Sequence, residues 1–285
     1  MIIIDYEVIF ILNFSNTIKN ARKDNKMQKI NKMEDDLLIA KLEDKIKFCK
    51  TRNIITNTNF LNLHEEVIIN KFLAQEKIDN YFFYGGYEKA ERKILFLYPD
   101  KITENIIKQV MKDSIRVIKI QLPKNEHYTH SQYLGGIMKL GIKREKIGDI
   151  LVNENGANIF ALPDVVEFLL LKLKELTRFQ NANIRQCEIN ETLSTEEKTE
   201  KFQIIVPSFR LDSVIAQCIH LSRTKAVETI SQGRVFINFE VCQNNSKNLK
   251  VGDCISIRGK GRFYIINQKG QTKKDKIILE IERKV

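Results

Sequence analysis

Between Tyr81 and Glu191, strand-length apolar runs alternate with helix-length amphipathic ones, and this alternation limits what the chain can fold into more than any other feature. Tyr81 to Tyr84, Lys93 to Tyr98, Arg116 to Leu122, Ile147 to Val152, Ala157 to Leu162 and Asn183 to Ile189 have the composition of strands. Thr103 to Lys112, Ser131 to Leu140 and Asp164 to Leu176 have helical spacing. Asn153-Glu154-Asn155-Gly156 reads as the turn of a hairpin. This order predicts a mixed α/β domain over 79–190.

The pattern differs on both sides. Over 33–78 a helical N-terminal region is expected, because Leu37, Leu38, Leu42, Ile46 and Phe48 recur at nearly helical spacing, and Val67, Ile68, Phe72 and Leu73 form a second apolar stripe. Asn-rich residues 53–62 separate the two. Residues 191–207 open on a polar, unpatterned run and read as a linker. From 208 the order becomes two short helices followed by β hairpins. Leu211, Val214, Ile215 and Cys218 make one buried stripe, Ser222 is placed to cap the second helix, and Gly233 to stop it. Strands are expected at Arg234 to Ile237, Val241 to Gln243, Cys254 to Arg258, Arg262 to Asn267 and Lys276 to Ile281. The fold class is therefore α+β, in three parts.

Residues 1–32 stand apart. Ile2 to Ile4 and Val8 to Leu12 are apolar, but Asp5 and Glu7 interrupt them, so the stretch is too short and too acidic to span a bilayer. It is read either as a disordered or partner-binding leader, or as a mis-assigned start, since Met33 opens a clean helical pattern.

Charge locates the functional end. Residues 208–285 hold 15 Lys/Arg against 7 Asp/Glu, a net of +8, whereas residues 33–207 hold 26 of each. A local cationic excess of this size points to a polyanionic partner at the C-terminal module. Five widely spaced cysteines with no close ligand pair read as reduced thiols of a cytoplasmic protein, with no metal and no cofactor. The free protein is expected to be a monomer that does not bind membranes.

Within the module, Arg210 opens the first helix, and Ser222, Arg223 and Lys225 lie in the first turn of the second, where free N–H groups and cationic side chains suit a phosphate. Arg223 and Lys225 are both expected on the exposed side, where charge reversal would spare the fold. Arg234 follows the helix stop. Arg258-Gly259-Lys260-Gly261-Arg262 sets three cations among glycines, so that backbone can approach a nucleic-acid strand closely. Of Phe263 and Tyr264, strand alternation assigns Phe263 to the core. Asp212 reads as a helix-start acid.

Phe209-Arg-Leu-Asp212, Leu221-Ser-Arg-Thr-Lys-Ala226, Ile230-Ser-Gln-Gly-Arg-Val235 and Leu249-Lys-Val-Gly-Asp-Cys-Ile-Ser-Ile-Arg258 resemble, in order, the RNA-binding domain named after ribosomal protein S4. Gly85-Gly-Tyr-Glu-Lys-Ala-Glu-Arg92, Ser131-Gln-Tyr-Leu-Gly135 and Leu140-Gly-Ile-Lys-Arg-Glu-Lys-Ile-Gly-Asp149 resemble the central domain of the YlmH family. That resemblance implies a central domain similar to an RNA-recognition fold. It implies a non-catalytic, RqcP-like role on stalled large ribosomal subunits, stabilising peptidyl-tRNA through contacts with ribosomal RNA or tRNA. Positions matching the RNA-facing motif are Arg210, Ser222, Arg223, Lys225, Arg234 and Asn238. The turn at Asn238-Phe239-Glu240 departs from the Asn-Gly found in many such modules.

Two other classes fit the same chain. Pseudouridine synthases and RNA methyltransferases carry this module too, and His127 and His130 with Asp113 or Asp149 could form an acid–base group, although no nucleophile is identifiable. A neutral central domain would also suit a protein–protein adaptor.

Overall fold

The computed structural model describes residues 32–191 and 199–284. The leader, except for residue 32, and the middle of the linker lie outside the described residues. The chain divides into two compact units, one within 35–196 and the other containing 197–285.

Helix α1, over 32–52 and within the first unit from Asp35, and helix α2 (Leu63–Gln75) bracket strand β1 (Thr56–Leu61). The strand falls in the Asn-rich segment that the sequence assigns to a break. Two of its four buried positions are Thr56 and Thr58, polar residues that apolar alternation does not flag. Both are buried because their hydroxyls bond backbone: Thr56 Oγ1 donates to the Lys45 carbonyl at 3.1 Å, and Thr58 Oγ1 accepts the Leu95 N–H at 3.0 Å. Strands β2 (Tyr81–Tyr84) and β3 (Lys93–Leu97) complete an antiparallel sheet in the order β1-β3-β2. Leu42 of α1 and Ile69 and Leu73 of α2 pack on Leu61, Leu95 and Leu97 of that sheet.

Helix α3 (Glu104–Ser114) leads to a run β4 (Arg116–Gln121), α4 (His130–Lys139), β5 (Ile147–Asn153), β6 (Gly156–Ala161), α5 (Pro163–Lys172) and β7 (Asn183–Cys187). The four strands form an antiparallel sheet in the order β5-β6-β4-β7. This is the βαββαβ arrangement implied for the central domain. Ile118 and Ile120 of β4 turn one sheet face toward Tyr133, Ile137, Val166 and Leu169 of the two helices. Val117 and Phe160 occupy the opposite face, where an RNA-recognition fold presents aromatics to bases. Here Phe160 is fully buried beneath Phe60, Ile94 and Phe96 of the first sheet, with the Tyr87 ring 5.3 Å away.

The segments 85–92 and 140–149 meet at the joint between the two sheets. β5 bulges between Ile147 and Ile150, and the Asp149 carboxylate there accepts the Tyr87 hydroxyl at 2.8 Å and the N–H groups of Glu91 and Arg92 at 2.7 and 3.1 Å. Burial raises its pKa despite these bonds. Arg92 donates to the carbonyls of Ile147 and Phe60, both at 3.0 Å, and Arg144 to that of Gly148 at 3.2 Å. A side chain at Gly148 would meet the Phe60 ring at 2.7 Å, so only glycine permits this approach.

The second unit is a six-stranded antiparallel sheet in the order β10-β9-β11-β12-β13-β8, with α6 (Leu211–Cys218) and α7 (Arg223–Ser231) packed together. Its strands are β8 (Thr199–Val206), β9 (Val235–Ile237), β10 (Glu240–Val241), β11 (Cys254–Ile257), β12 (Gly261–Gln271) and β13 (Ile277–Lys284). Val214, Ile215, Ala226 and Ile230 from the helices share one core with Ile255, Phe263, Ile265, Leu279 and Ile281. β8 corrects the sequence reading, because it lies in the stretch taken as linker. Its exposed Thr199-Glu200-Lys201 hides the inward Ile204 and Val206, which are 5% and 0% exposed.

Both helices of this unit end on a left-handed residue. After α7 it is Gly233, φ 65°, with the Arg234 N–H reaching the Thr229 carbonyl. After α6 it is His220, φ 52°, with the Leu221 N–H reaching the Ala216 carbonyl at 2.9 Å. A Cβ is strained in this conformation and glycine is not. His220→Gly is therefore expected to stabilise the protein by about 1 kcal/mol, read as a melting temperature several degrees higher. An unchanged or lower melting temperature would show that the imidazole contributes more than the strain costs.

Candidate nucleic-acid interface

Arg210 is the N-cap residue of α6, and Asp212 follows in the first turn with only 3% of its surface exposed. Its carboxylate accepts the Ser213 N–H at 2.8 Å, Arg210 Nε and Nη2 at 3.2 and 3.1 Å, and Arg223 Nε and Nη2 at 3.2 and 3.3 Å. Burial pushes the Asp212 carboxyl up, but the hydrogen bonds from Arg210 and the charge and bonds of Arg223 outweigh it, leaving the pKa below the ordinary carboxylate value. The two guanidinium groups are thus oriented from behind while 38% and 54% of their side-chain surfaces stay open to solvent. One anion holding two cations leaves a net positive surface with fixed donors, suited to a phosphate.

This geometry corrects two expectations. Asp212 is more than a helix-start acid: it bridges α6 and α7. Arg223 is not a fold-neutral surface charge, since glutamate there would face a buried carboxylate. Lys225 does lie on the exposed side, and its N–H is accepted by Ser222 Oγ at 3.3 Å, as expected of a cap. The helix starts also differ. The first N–H groups of α6, from Leu211 and Asp212, are taken by the carbonyls of Lys247 and Asn245 at 3.0 and 3.1 Å. Those of Arg223 and Thr224 in α7 have no acceptor within the helix.

A second group gathers where α7 ends. Arg234 Nη2 donates to the Arg258 carbonyl at 3.2 Å, and the Arg258 N–H to the Arg234 carbonyl at 3.0 Å, which ties the helix exit to the β11–β12 turn. Gly259 and Gly261 adopt φ 76° and 100°, so this turn needs its glycines and displays the exposed Arg258 and Lys260. The Arg258 guanidinium lies 5.3 Å from the Phe236 ring and that of Arg262 5.7 Å from Phe239. As alternation requires, Phe263 is in the core, 1% exposed.

Asn238 sits apart, in the β9–β10 turn. Its Nδ2 donates to Asp253 Oδ1 and its Oδ1 accepts the Cys254 N–H, both at 2.9 Å, so its amide holds the turn. Asn238 and Phe239 have φ of 49° and 72°, and Ile237 pairs with Glu240, the arrangement of a two-residue type I′ hairpin. The departure from Asn-Gly leaves the turn geometry in place with phenylalanine where glycine is favoured. That costs about 1–2 kcal/mol of strain.

In the first unit, the loop Lys143-Arg144-Glu145-Lys146 turns Arg144 inward to backbone carbonyls and pairs Lys146 with Asp164. Asp149 is committed to the joint and Asp113 pairs with Arg116 at 3.4 Å. Among the described residues, no group of three or more His, Cys, Asp or Glu is placed to hold a metal ion, and no helix is long and apolar enough to cross a membrane.

The Asp212 bridge makes acid stability a readout of the site. Because its folded pKa lies below the ordinary value near 4, its contribution is full above that pH and is lost as the pH falls through the folded pKa. Asp212→Asn is expected to cost about 1–2 kcal/mol at pH 7, to flatten the acid limb of stability, and to weaken RNA binding at least tenfold. Denaturant titrations at pH 7 and near pH 3, with an RNA-binding titration, check all three. Equal losses at both pH values would mean that charge is not what the carboxylate supplies.

Residues 92–191 match the family model described as "Putative RNA-binding domain in YlmH", and residues 209–255 match that of the S4 domain. "Ribosome-associated protein quality control protein P2" of Bacillus subtilis (strain 168) is 30% identical over 227 residues, which span 79% of this chain and 86% of that protein. A solved structure, "Cell division protein ylmH from Streptococcus pneumoniae", aligns at 24% identity with a TM-score of 0.45, over 55% of this chain and 93% of the other. With 86% of the Bacillus protein covered at 30% identity, and both domains matched in order, the chain belongs to the YlmH family of RNA-binding proteins.

Proposed function

We propose that this chain is a non-catalytic cytoplasmic protein that binds structured RNA, ribosomal RNA or tRNA, on the large ribosomal subunit and stabilises peptidyl-tRNA during quality control. The observation that carries this reading is the Asp212-fixed pair Arg210 and Arg223 beside the N-terminus of α7. Arg234, Arg258, Lys260 and Arg262 extend the cationic surface around the β11–β12 turn, within a segment of net charge +8 (15 Lys/Arg, 7 Asp/Glu). The quality-control role is supported by the name of the Bacillus relative, and the ribosomal setting by the same name. Phosphate contacts of this kind supply affinity and position, and their salt dependence counts them.

Lys225 and Lys260 are exposed, so Lys225→Glu with Lys260→Glu tests the surface without touching the Asp212 bridge. Co-sedimentation with purified large subunits, with and without peptidyl-tRNA and across a salt series, is expected to show binding favoured by the tRNA. The double variant should bind at least tenfold more weakly, with a salt slope shallower by about 1.4–1.8, as the loss of two phosphate contacts requires. Equal binding by the variant would place the interface elsewhere. Modified nucleosides in RNA incubated with the protein would replace this reading with an RNA-modifying enzyme.

A further inference from the structure

We propose that the β9–β10 turn and the outer sheet face beside it form a stacking platform for unpaired nucleotides, with Phe239 backed by Arg262 and Phe236 backed by Arg258. The inference rests on the RNA-binding reading and adds to it a ligand class, single-stranded nucleotides of a loop or bulge, and two aromatic residues outside the motif positions.

The placement follows from register. Phe236 pairs with Ser256, and Ser256 with Arg262, so these three share one face of adjacent strands β9, β11 and β12. Their neighbours Val235, Ile237, Ile257 and Phe263 point the other way, into the core. By the same alternation Tyr264, paired with Cys254, lies on the outer face. Phe239 at the hairpin tip brings its ring within 5.7 Å of the Arg262 guanidinium, and Arg258 lies 5.3 Å from Phe236. Both rings are partly exposed.

Two observations separate this arrangement from ordinary surface packing. A phenylalanine at φ 72° holds a left-handed conformation that glycine or asparagine adopts with less strain, so the turn carries an aromatic ring at a cost. The turn is also anchored. Asn238 bonds Asp253 and the Cys254 N–H, and Asp253, 5% exposed, accepts the Lys250 N–H at 2.9 Å. A strained ring on a fixed turn is presented at one position. Aromatic and guanidinium planes are the surfaces on which unpaired bases stack, whereas the faces of duplex bases are already occupied by their neighbours. Lys260 and Arg258, exposed on the adjoining turn, supply cations for the phosphates of the same strand.

Phe239→Asn separates stacking from folding, because asparagine tolerates the left-handed conformation. The melting temperature is expected to rise or hold. Two RNA probes share one stem: a stem–loop with 2-aminopurine among unpaired loop adenosines, and the stem as a plain duplex. The parent protein should bind the stem–loop more tightly and quench the 2-aminopurine. Phe239→Asn should bind the stem–loop about 5- to 100-fold more weakly, without the quench, and leave duplex binding unchanged. Lys225→Glu should weaken both. Loss of duplex and stem–loop binding in equal measure by Phe239→Asn, or no loss, overturns the platform while the RNA-binding reading stands. A lower melting temperature of the variant overturns the strain argument and the platform with it. A parent protein that binds neither probe overturns both.

Discussion

The carboxylate of Asp212 is buried between two guanidinium groups, and the cationic face of the C-terminal unit depends on it. A buried anion alone is costly, and two long cationic side chains alone wander. Together they satisfy each other: the anion gains five donors and each arginine loses the freedom that would weaken its grip on a phosphate. The same bridge joins α6 to α7, so the helix that carries Arg223 is held by the group that orients the arginines. Geometry and charge therefore come from one residue.

The first unit uses a buried carboxylate differently. Asp149, with Arg92 and Arg144, serves backbone: N–H groups on one side, and carbonyls left over by a bulge and by β1 on the other. This joint seats the three-stranded sheet against the face of the four-stranded sheet that an RNA-recognition fold leaves open. With Phe160 beneath that layer, the central domain retains the topology of such a fold without its central aromatic platform. The adaptor role considered for the central sheet loses the same ground, since helices cover one face and a second sheet part of the other.

Much of this was legible in the sequence, and the misses have physical causes. Apolar periodicity located the α-helices of the central domain and of the C-terminal unit, and most strands. It failed at β1, where two of the four buried positions are threonines with backbone partners, and at β8, whose outer half is polar because it lies at a sheet edge. Ser222 as a cap and Gly233 as a stop follow from local chemistry and are found as expected. Asp212 bonding Arg223 joins residues on different helices, which no local pattern encodes. That Arg144 turns inward to backbone carbonyls and that the Asn238 amide holds its turn are not visible in the sequence either, because it does not show which way a loop side chain points.

The edge strand β8 has a consequence for how the C-terminal unit is made. It precedes both helices in the chain yet pairs along its whole length with β13, the last strand, from Val206 opposite Ile277 to Thr199 opposite Lys284. The first segment of the unit to be synthesised is thus the last to find its partner, and until β13 emerges Ile204 and Val206 have no strand to pair with. Contacts of such sequence separation slow folding and leave an unpaired strand in the interval. The unit closes like a belt buckled at its two ends, and its cationic face is carried on a sheet whose edge is finished only when its final strand is in place.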